Sequence, residues 1–269
     1  DGVLKKQASV VEYVDTIECE GNFIAKSTTS RDDYIKNNVT HQEIHPSLIL
    51  GIMANQVIFP ENNPYPRNAF ACGQAKQGVS VFHSNFRNRI DKTSYLLNYG
   101  QIPLTKSKYL DYATKEQHPY GENAIVAVMC YTGFNVEDAV IVNRGSLSRG
   151  LFRTTYYNMY EDHEETKNVG NAVIDKRFMN IEDNDVNDLK PGYDYSKLDK
   201  TTGLIRENEK VTEKTIVIGK TVPLMGNQEG SYRDESLVPK KGQVGRVDKS
   251  FITREEEGKR TAKVRIRGE

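Results

Sequence analysis

Glu137 and Asp138 are adjacent carboxylates set between two short apolar runs, Ala124 to Met129 and Ala139 to Val142. Thr132-Gly133-Phe134-Asn135, just ahead of them, has the composition of a tight turn. Each apolar run is short and rich in β-branched residues, which predicts a buried strand on either side of the turn. Carboxylates next to buried strands lose hydration, so they call for a positive partner. An Arg, a Lys or a divalent cation would serve, and a hard cation such as Mg²⁺ prefers carboxylate oxygen while keeping some of its own waters. The same pair also reads as a solvated turn, because Asp and Glu are mostly exposed.

A second set of residues follows a helical spacing. Asn63-Pro64-Tyr65-Pro66 predicts a turn entering a helix, with Pro66 suited to the first helical position. At about 100° per residue, Arg67, Phe70, Gln74 and Gln77 share one face and Lys76 falls on the other. Val79, Phe82, Phe86 and Ile90 extend an apolar stripe beyond them. An arginine, a ring and two amides on one face suit a phosphate, a sugar and a base edge better than a core. Taken alone, Arg67 is also readable as a surface residue at a helix start and Lys76 as a solvated one.

The wider pattern is more specific than either set. His45-Pro46-Ser47-Leu48-Ile49-Leu50-Gly51 is followed by Phe59-Pro60, Pro66-Arg67-Asn68 and Lys76-Gln77. Gly121-Glu122-Asn123-Ala124, Gly133-Phe134-Asn135-Val136-Glu137-Asp138 and Ser148-Arg149-Gly150-Leu151-Phe152 come next. In this order and at these separations the chain resembles the second-largest subunit of multisubunit DNA-directed RNA polymerases, of the eukaryotic, archaeal or large-DNA-virus type. The resemblance runs from about Val11 to Arg267 and is densest from His45 to Tyr157.

The resemblance implies nucleotidyl transfer, in which an RNA 3′ hydroxyl attacks the α-phosphorus of a nucleoside triphosphate. Two Mg²⁺ ions about 4 Å apart suit that displacement. In the family the first ion belongs to the largest subunit, and the acid pair helps hold the second. Asp138 is then the direct or water-mediated ligand and Glu137 its support. Arg67 matches a residue on the incoming triphosphate, where a guanidinium grips phosphate oxygens in bidentate fashion. Phe70 stands where many relatives carry Tyr: the ring is kept and the hydroxyl is not. Gln77 matches a glutamine near the RNA 3′ end, and Lys76, in the same motif but on the opposite helix face, is open to two readings, contact with the nucleic-acid backbone or a solvated position. The implied partners are the largest and smaller polymerase subunits, template DNA, RNA transcript and nucleoside triphosphates, with no membrane.

The fold implied is mixed α+β and β-rich. Residues to about Leu50 finish an external domain, and Gly51 to Arg153 form the first part of a hybrid-binding domain containing part of a double-psi β-barrel. Thr154 to Arg260 form a β-rich wall or flap, and Thr261 onward starts the return. The chain begins at Asp1 and stops soon after the strand-like Ala262 to Ile266, which reads as a piece of a longer subunit. Two active-site lysines of the family lie beyond it, so the piece alone is expected to be inactive. Two other roles stay open: a non-catalytic nucleic-acid platform in the same assembly, and an unrelated metal-dependent phosphohydrolase. The phosphohydrolase needs a His or Asp cluster of recognisable spacing that is not evident here.

Composition agrees with a part of an assembly. The 269 residues carry 37 Lys+Arg and 37 Asp+Glu, which argues against a free-standing binder held to nucleic acid by bulk charge. From Lys240 to Arg267, ten basic residues face four acids, a local excess of six. Hydrophobic residues make up only 37% with no Trp, consistent with a core completed by neighbours. Cys19, Cys72 and Cys130 are scattered and odd in number, which fits a reducing intracellular compartment, nuclear or cytoplasmic; Cys72 and Cys130 are expected to be buried. No segment approaches the ~18 apolar residues of a membrane span. Short strands are expected at Val10 to Asp15 and Asn22 to Ala25. Further strands are expected at Tyr95 to Tyr99, Val211 to Gly219 and Gly242 to Val247, with polar loops at Lys26 to Asn38 and Glu164 to Lys200. His41 and His45, with Pro46 against a helix, read as structural, and His83 as packed or interfacial.

Overall fold

The computed structural model describes residues 11–26, 30–107, 110–111, 121–169, 172–182, 186–224, 231–254 and 258–269. The chain divides into two compact units, Asp1–Gly78 with Thr105–Lys115, and Val79–Leu104 with Glu116–Glu269.

The first unit is built from short helices. Asp15 caps α1 (Thr16–Gly21), accepting from the amides of Ile17 and Glu18, and Ser30 caps α2 (Arg31–Lys36) through the amide of Asp33. α1 lies between the strands expected at Val10 to Asp15 and Asn22 to Ala25, of which residues 11–15 form none and only Ile24–Ala25 pairs, and α2 lies in the expected loop at Lys26 to Asn38. The side-chain caps satisfy amides that would otherwise be orphaned and so favour a turn of helix in polar sequence. β1 (Ile24–Ala25) pairs in parallel with β2 (His41–Gln42). Pro46 opens a 3₁₀ turn, Pro46–Leu50, capped by His45, whose ring accepts from the Ser47 amide. This ends before α3 (Gly51–Ala54), so no helix runs through the His pair. α4 (Tyr65–Lys76) follows, with Pro66 inside its first turn. It stops there: Val79, Phe82 and Phe86 are not helical, and His83 is exposed, which removes the packed reading and leaves the interfacial one. Gly78 directly after the Gln77 cap fits that stop, since glycine costs about 1 kcal/mol in a helix.

The second unit is mostly strand. β3 (Thr93–Leu97), β4 (Thr154–His163), β12 (Arg260–Gly268), β11 (Gly245–Arg254) and β8 (Lys210–Val211) form one antiparallel sheet in that order. Alternation explains β12: Ala262, Val264 and Ile266 are fully buried, while Lys263, Arg265 and Arg267 stand on the other face. The second sheet runs β5 (Glu165–Val169), β6 (Ala172–Phe178), β9 (Lys220–Pro223), β10 (Tyr232–Asp234) and β7 (Val186–Asn187). The core joins Val247, Val264 and Ile266 to Leu198, Leu204, Ile205, Ile216, Val217 and Ile218. β5 and β6 replace an expected polar loop, because their pairing rests on polar partners such as Thr166 with Asp175 rather than on apolar alternation. Residues 215–218 join the core through isolated bridges at Thr215 and Ile218 and not as one long strand.

The mixed, strand-rich character expected from the sequence is therefore present, and the sheets are open among the described residues. The strands expected at Ala124–Met129 and Ala139–Val142 are absent. Those residues make no ladder, and Ile125, Val126, Val128 and Val140 are at least 78% exposed. β-branched runs become strands only when another edge accepts their backbone groups. No described helix is long and apolar enough to cross a membrane.

Candidate nucleotidyl-transfer site

The acid pair occupies the two central positions of a turn closed by the Ala139 amide on the Val136 carbonyl at 3.4 Å. Glu137 sits in the left-handed region at φ 61°. Thr132, β-branched, does the same at φ 57°, and Gly133 follows at 76°. Non-glycine residues in this region cost of order 1–2 kcal/mol, and such strain gathers at functional sites. The loop is held by Asn135. Its amide accepts from the Tyr131 N–H at 3.1 Å and donates to the Met129 carbonyl at 2.6 Å. The expected turn at Thr132–Asn135 is thus present.

Two anchors fix the loop's root. Asn123 donates to the Ile102 carbonyl and accepts from the Leu104 amide, while its own amide N–H bonds the Gln101 side chain. One Glu122 oxygen accepts from the Phe152 amide at 3.0 Å, and the other is buried without a hydrogen-bond partner. After the loop, Asn143 caps α5 (Arg144–Ser148) through the Ser146 amide at 2.9 Å. Asn123, Asn135 and Glu122 lie within the motifs but had no assigned task; asparagine beside a glycine turn is the signal that points to them.

Glu137 and Asp138 are both exposed, and neither has a Lys or Arg partner among the described residues. Two neighbouring carboxylates repel by ~1 kcal/mol even in water. A divalent cation reverses that term, and an open position leaves space for the waters a hard ion retains. The donor set therefore fits Mg²⁺ with only part of its shell supplied here. Among the described residues no three His, Cys, Asp or Glu side chains gather as a metal site.

In the first unit, Arg67 and Phe70 lie one helical turn apart, and the guanidinium carbon stands 5.7 Å from the ring centroid. Both are exposed, as α4 buries no residue. Arg67 has no carboxylate partner among the described residues, so its fork is available to an anion. Lys76 is the last helical residue and Gln77 the C-cap, both exposed. Asn68, next to Arg67, ties the helix start to the Pro60 carbonyl at 2.8 Å. Cys130 is exposed and Cys72 half-buried, against the expectation of burial; all three cysteines are free thiols. His41 bonds Glu12 at 2.8 Å.

Comparison with known proteins points one way. The family model described as RNA polymerase Rpb2, domain 6, matches residues 53–269. DNA-directed RNA polymerase II subunit RPB2 of Encephalitozoon cuniculi is 34% identical over 270 residues, covering 96% of this chain and 23% of that protein. DNA-directed RNA polymerase II subunit 2 of Arabidopsis thaliana is 34% identical, covering 96% of this chain and 22% of its own length. The archaeal DNA-directed RNA polymerase subunit Rpo2 of Sulfolobus acidocaldarius is 35% identical over 271 residues, covering 98% and 23%. The chain thus spans under a quarter of the length of these relatives.

Proposed function

This chain belongs to the Rpb2 family of second-largest subunits of DNA-directed RNA polymerases, and from that premise we propose that it forms part of the catalytic core that copies template DNA into RNA. The observation that carries the reading is the Glu137–Asp138 turn: exposed carboxylates without a basic partner among the described residues, on a strained backbone braced by Asn135.

Asp138, supported by Glu137, would hold the second Mg²⁺ directly or through water. When bound, that ion neutralises charge on the leaving triphosphate. Arg67 grips phosphate oxygens of the incoming nucleotide, and Phe70 packs its ring beside that guanidinium and keeps it oriented. The Gln77 amide takes a ribose hydroxyl or phosphate near the RNA 3′ end, and Lys76 follows the backbone of the hybrid. The residues around the acid pair contribute to a double-psi barrel in the whole subunit, and those from Thr154 to Arg260 to a wall beside the RNA–DNA hybrid. Largest and smaller subunits, DNA, RNA and nucleoside triphosphates are the partners.

Primer extension by the assembled enzyme on a preformed scaffold tests the reading. With Glu137→Ala and Asp138→Ala together, assembly stays intact and extension slows by ~100-fold, about 2.7 kcal/mol of transition-state stabilisation. Extension at the native rate would leave the pair as a turn in a non-catalytic nucleic-acid platform.

A further inference from the structure

The outward face of β12 and β11 is basic for a chain with no net charge, with Lys263, Arg265 and Arg267 on β12 and Arg246 and Lys249 on β11, while β4 adds Tyr157, Met159 and the acid Glu161. The register sets Lys249 opposite Arg265 and Arg246 opposite Arg267. Like charges directly opposite one another on a sheet are unfavourable. One of these cations is neutralised. The register is irregular between Val247 and Lys249, and the extra residue, Asp248, bonds Arg265 at 2.7 Å. A bulge re-aims a side chain that regular alternation would send elsewhere.

Arg265 is 5% exposed. It donates to the backbone carbonyls of Phe86, Arg87 and Arg89 and lies 5.0 Å from the centroid of the Tyr157 ring. It is a tie, and it fixes the turn that carries Arg87 against the sheet. Arg87, Lys249 and Arg267 are then left without a carboxylate partner among the described residues. Of the other acids nearby, Asp91 is taken by Arg89 at 3.0 Å, Glu161 lies 3.5 Å from Lys263, and Glu207 accepts from the Ser250 amide at 3.3 Å. The three cations border a cavity of about 380 Å³, with Phe86, Asn88 and Tyr157 also in its walls.

We propose that this concave face binds the phosphodiester backbone of a nucleic-acid strand, with Arg87, Lys249 and Arg267 on phosphate oxygens and Tyr157 and Phe86 beside the sugars or bases. Guanidinium forks match phosphate geometry. An acidic protein segment is the weaker fit, because protein interfaces centre on apolar anchors and are depleted in Lys, whereas nucleic-acid interfaces are polar and strongly positive. The proposal rests on the reading above that the chain works beside DNA and RNA, but none of these residues is assigned to the reaction itself, so the tests below and the primer-extension test of the acid pair fail independently.

Two experiments on the assembled polymerase decide it. A benzophenone amino acid placed at position 249 crosslinks to labelled DNA or RNA in a scaffold complex; crosslinking to a neighbouring subunit only, or to nothing, overturns the proposal. Replacing Arg87, Lys249 and Arg267 together by Gln lowers the slope of log affinity against log salt by about 2–3, since each phosphate contact contributes ~0.7–0.9. The control Arg87→Lys with Arg267→Lys keeps the native slope. An unchanged slope in the Gln variant overturns the proposal, and if that variant fails to assemble the crosslink gives the answer.

Discussion

Glu137 pays a conformational cost that a glycine would not. At φ 61° it holds a backbone that L side chains avoid. Glu137→Gly should therefore raise the stability of the chain by ~0.5–1 kcal/mol in urea unfolding while slowing extension by the assembled enzyme. Faster or unchanged extension would remove the functional reason for glutamate there. Asn135 makes two turn bonds, one in each direction, so Asn135→Ala should misplace the acid pair and slow extension by ~10-fold. Asn135→Asp keeps the acceptor for Tyr131 and loses the donor to Met129, and should fall between the two. The acid pair and its turn were legible because turn chemistry is local: Thr132 to Asn135 state it within four residues. The exposure of the flanking runs was not legible, since a β-branched segment carries no mark of whether a partner edge is present.

At the level of elements, legibility tracks apolar alternation. β12 announces itself through Ala262, Val264 and Ile266. β5 and β6 do not, because Glu165 and Thr166 face Lys176 and Asp175 across the ladder, a composition that looks like loop; the Thr166 hydroxyl bonds Asp175, while Glu165 pairs with Lys167 and Lys176 with Glu235. The join between β4 and β5 is fastened by Glu164, which accepts from Arg260 at 2.9 Å and from the Phe178 amide at 3.0 Å. Burial pushes the Glu164 carboxyl up, but the Arg260 guanidinium and the Phe178 and Arg260 amides outweigh it and hold it below its usual value. A depressed carboxyl contributes stability that is present above its unfolded pKa of about 4.5 and is lost as pH falls through the lower folded value. Glu164→Gln should cost about 2 kcal/mol at neutral pH and flatten the acid limb of the stability curve; an unaltered acid limb would contradict the assignment. Gly203 is a second fixed point. It has φ 72°, and a Cβ would come within 2.6 Å of the Met179 backbone. Gly203→Ala should destabilise by more than ~2 kcal/mol in the same assay.

For the whole molecule, the motifs spoke in one order along nearly the entire chain, and the family match over residues 53–269 answers them. A core drawn largely from residues between Tyr160 and Ile266 leaves Ile125, Val126, Val128, Phe134 and Val140 in solvent. Exposed apolar patches of this kind mark surfaces that other chains cover. The isolated chain should bind a hydrophobic dye strongly and the assembled enzyme weakly; equal binding would mean that this surface stays open in the assembly. The central proposal is narrower: that Asp138 and Glu137 sit at the second metal of RNA synthesis. The most direct measurement is the Mg²⁺ dependence of primer extension by the assembled enzyme at fixed nucleotide, comparing native with Asp138→Ala. The account predicts a half-maximal Mg²⁺ concentration raised by at least ~10-fold with assembly unaffected, since losing even an outer-shell partner of a metal costs about 10–100-fold in affinity. A midpoint that does not move would contradict it.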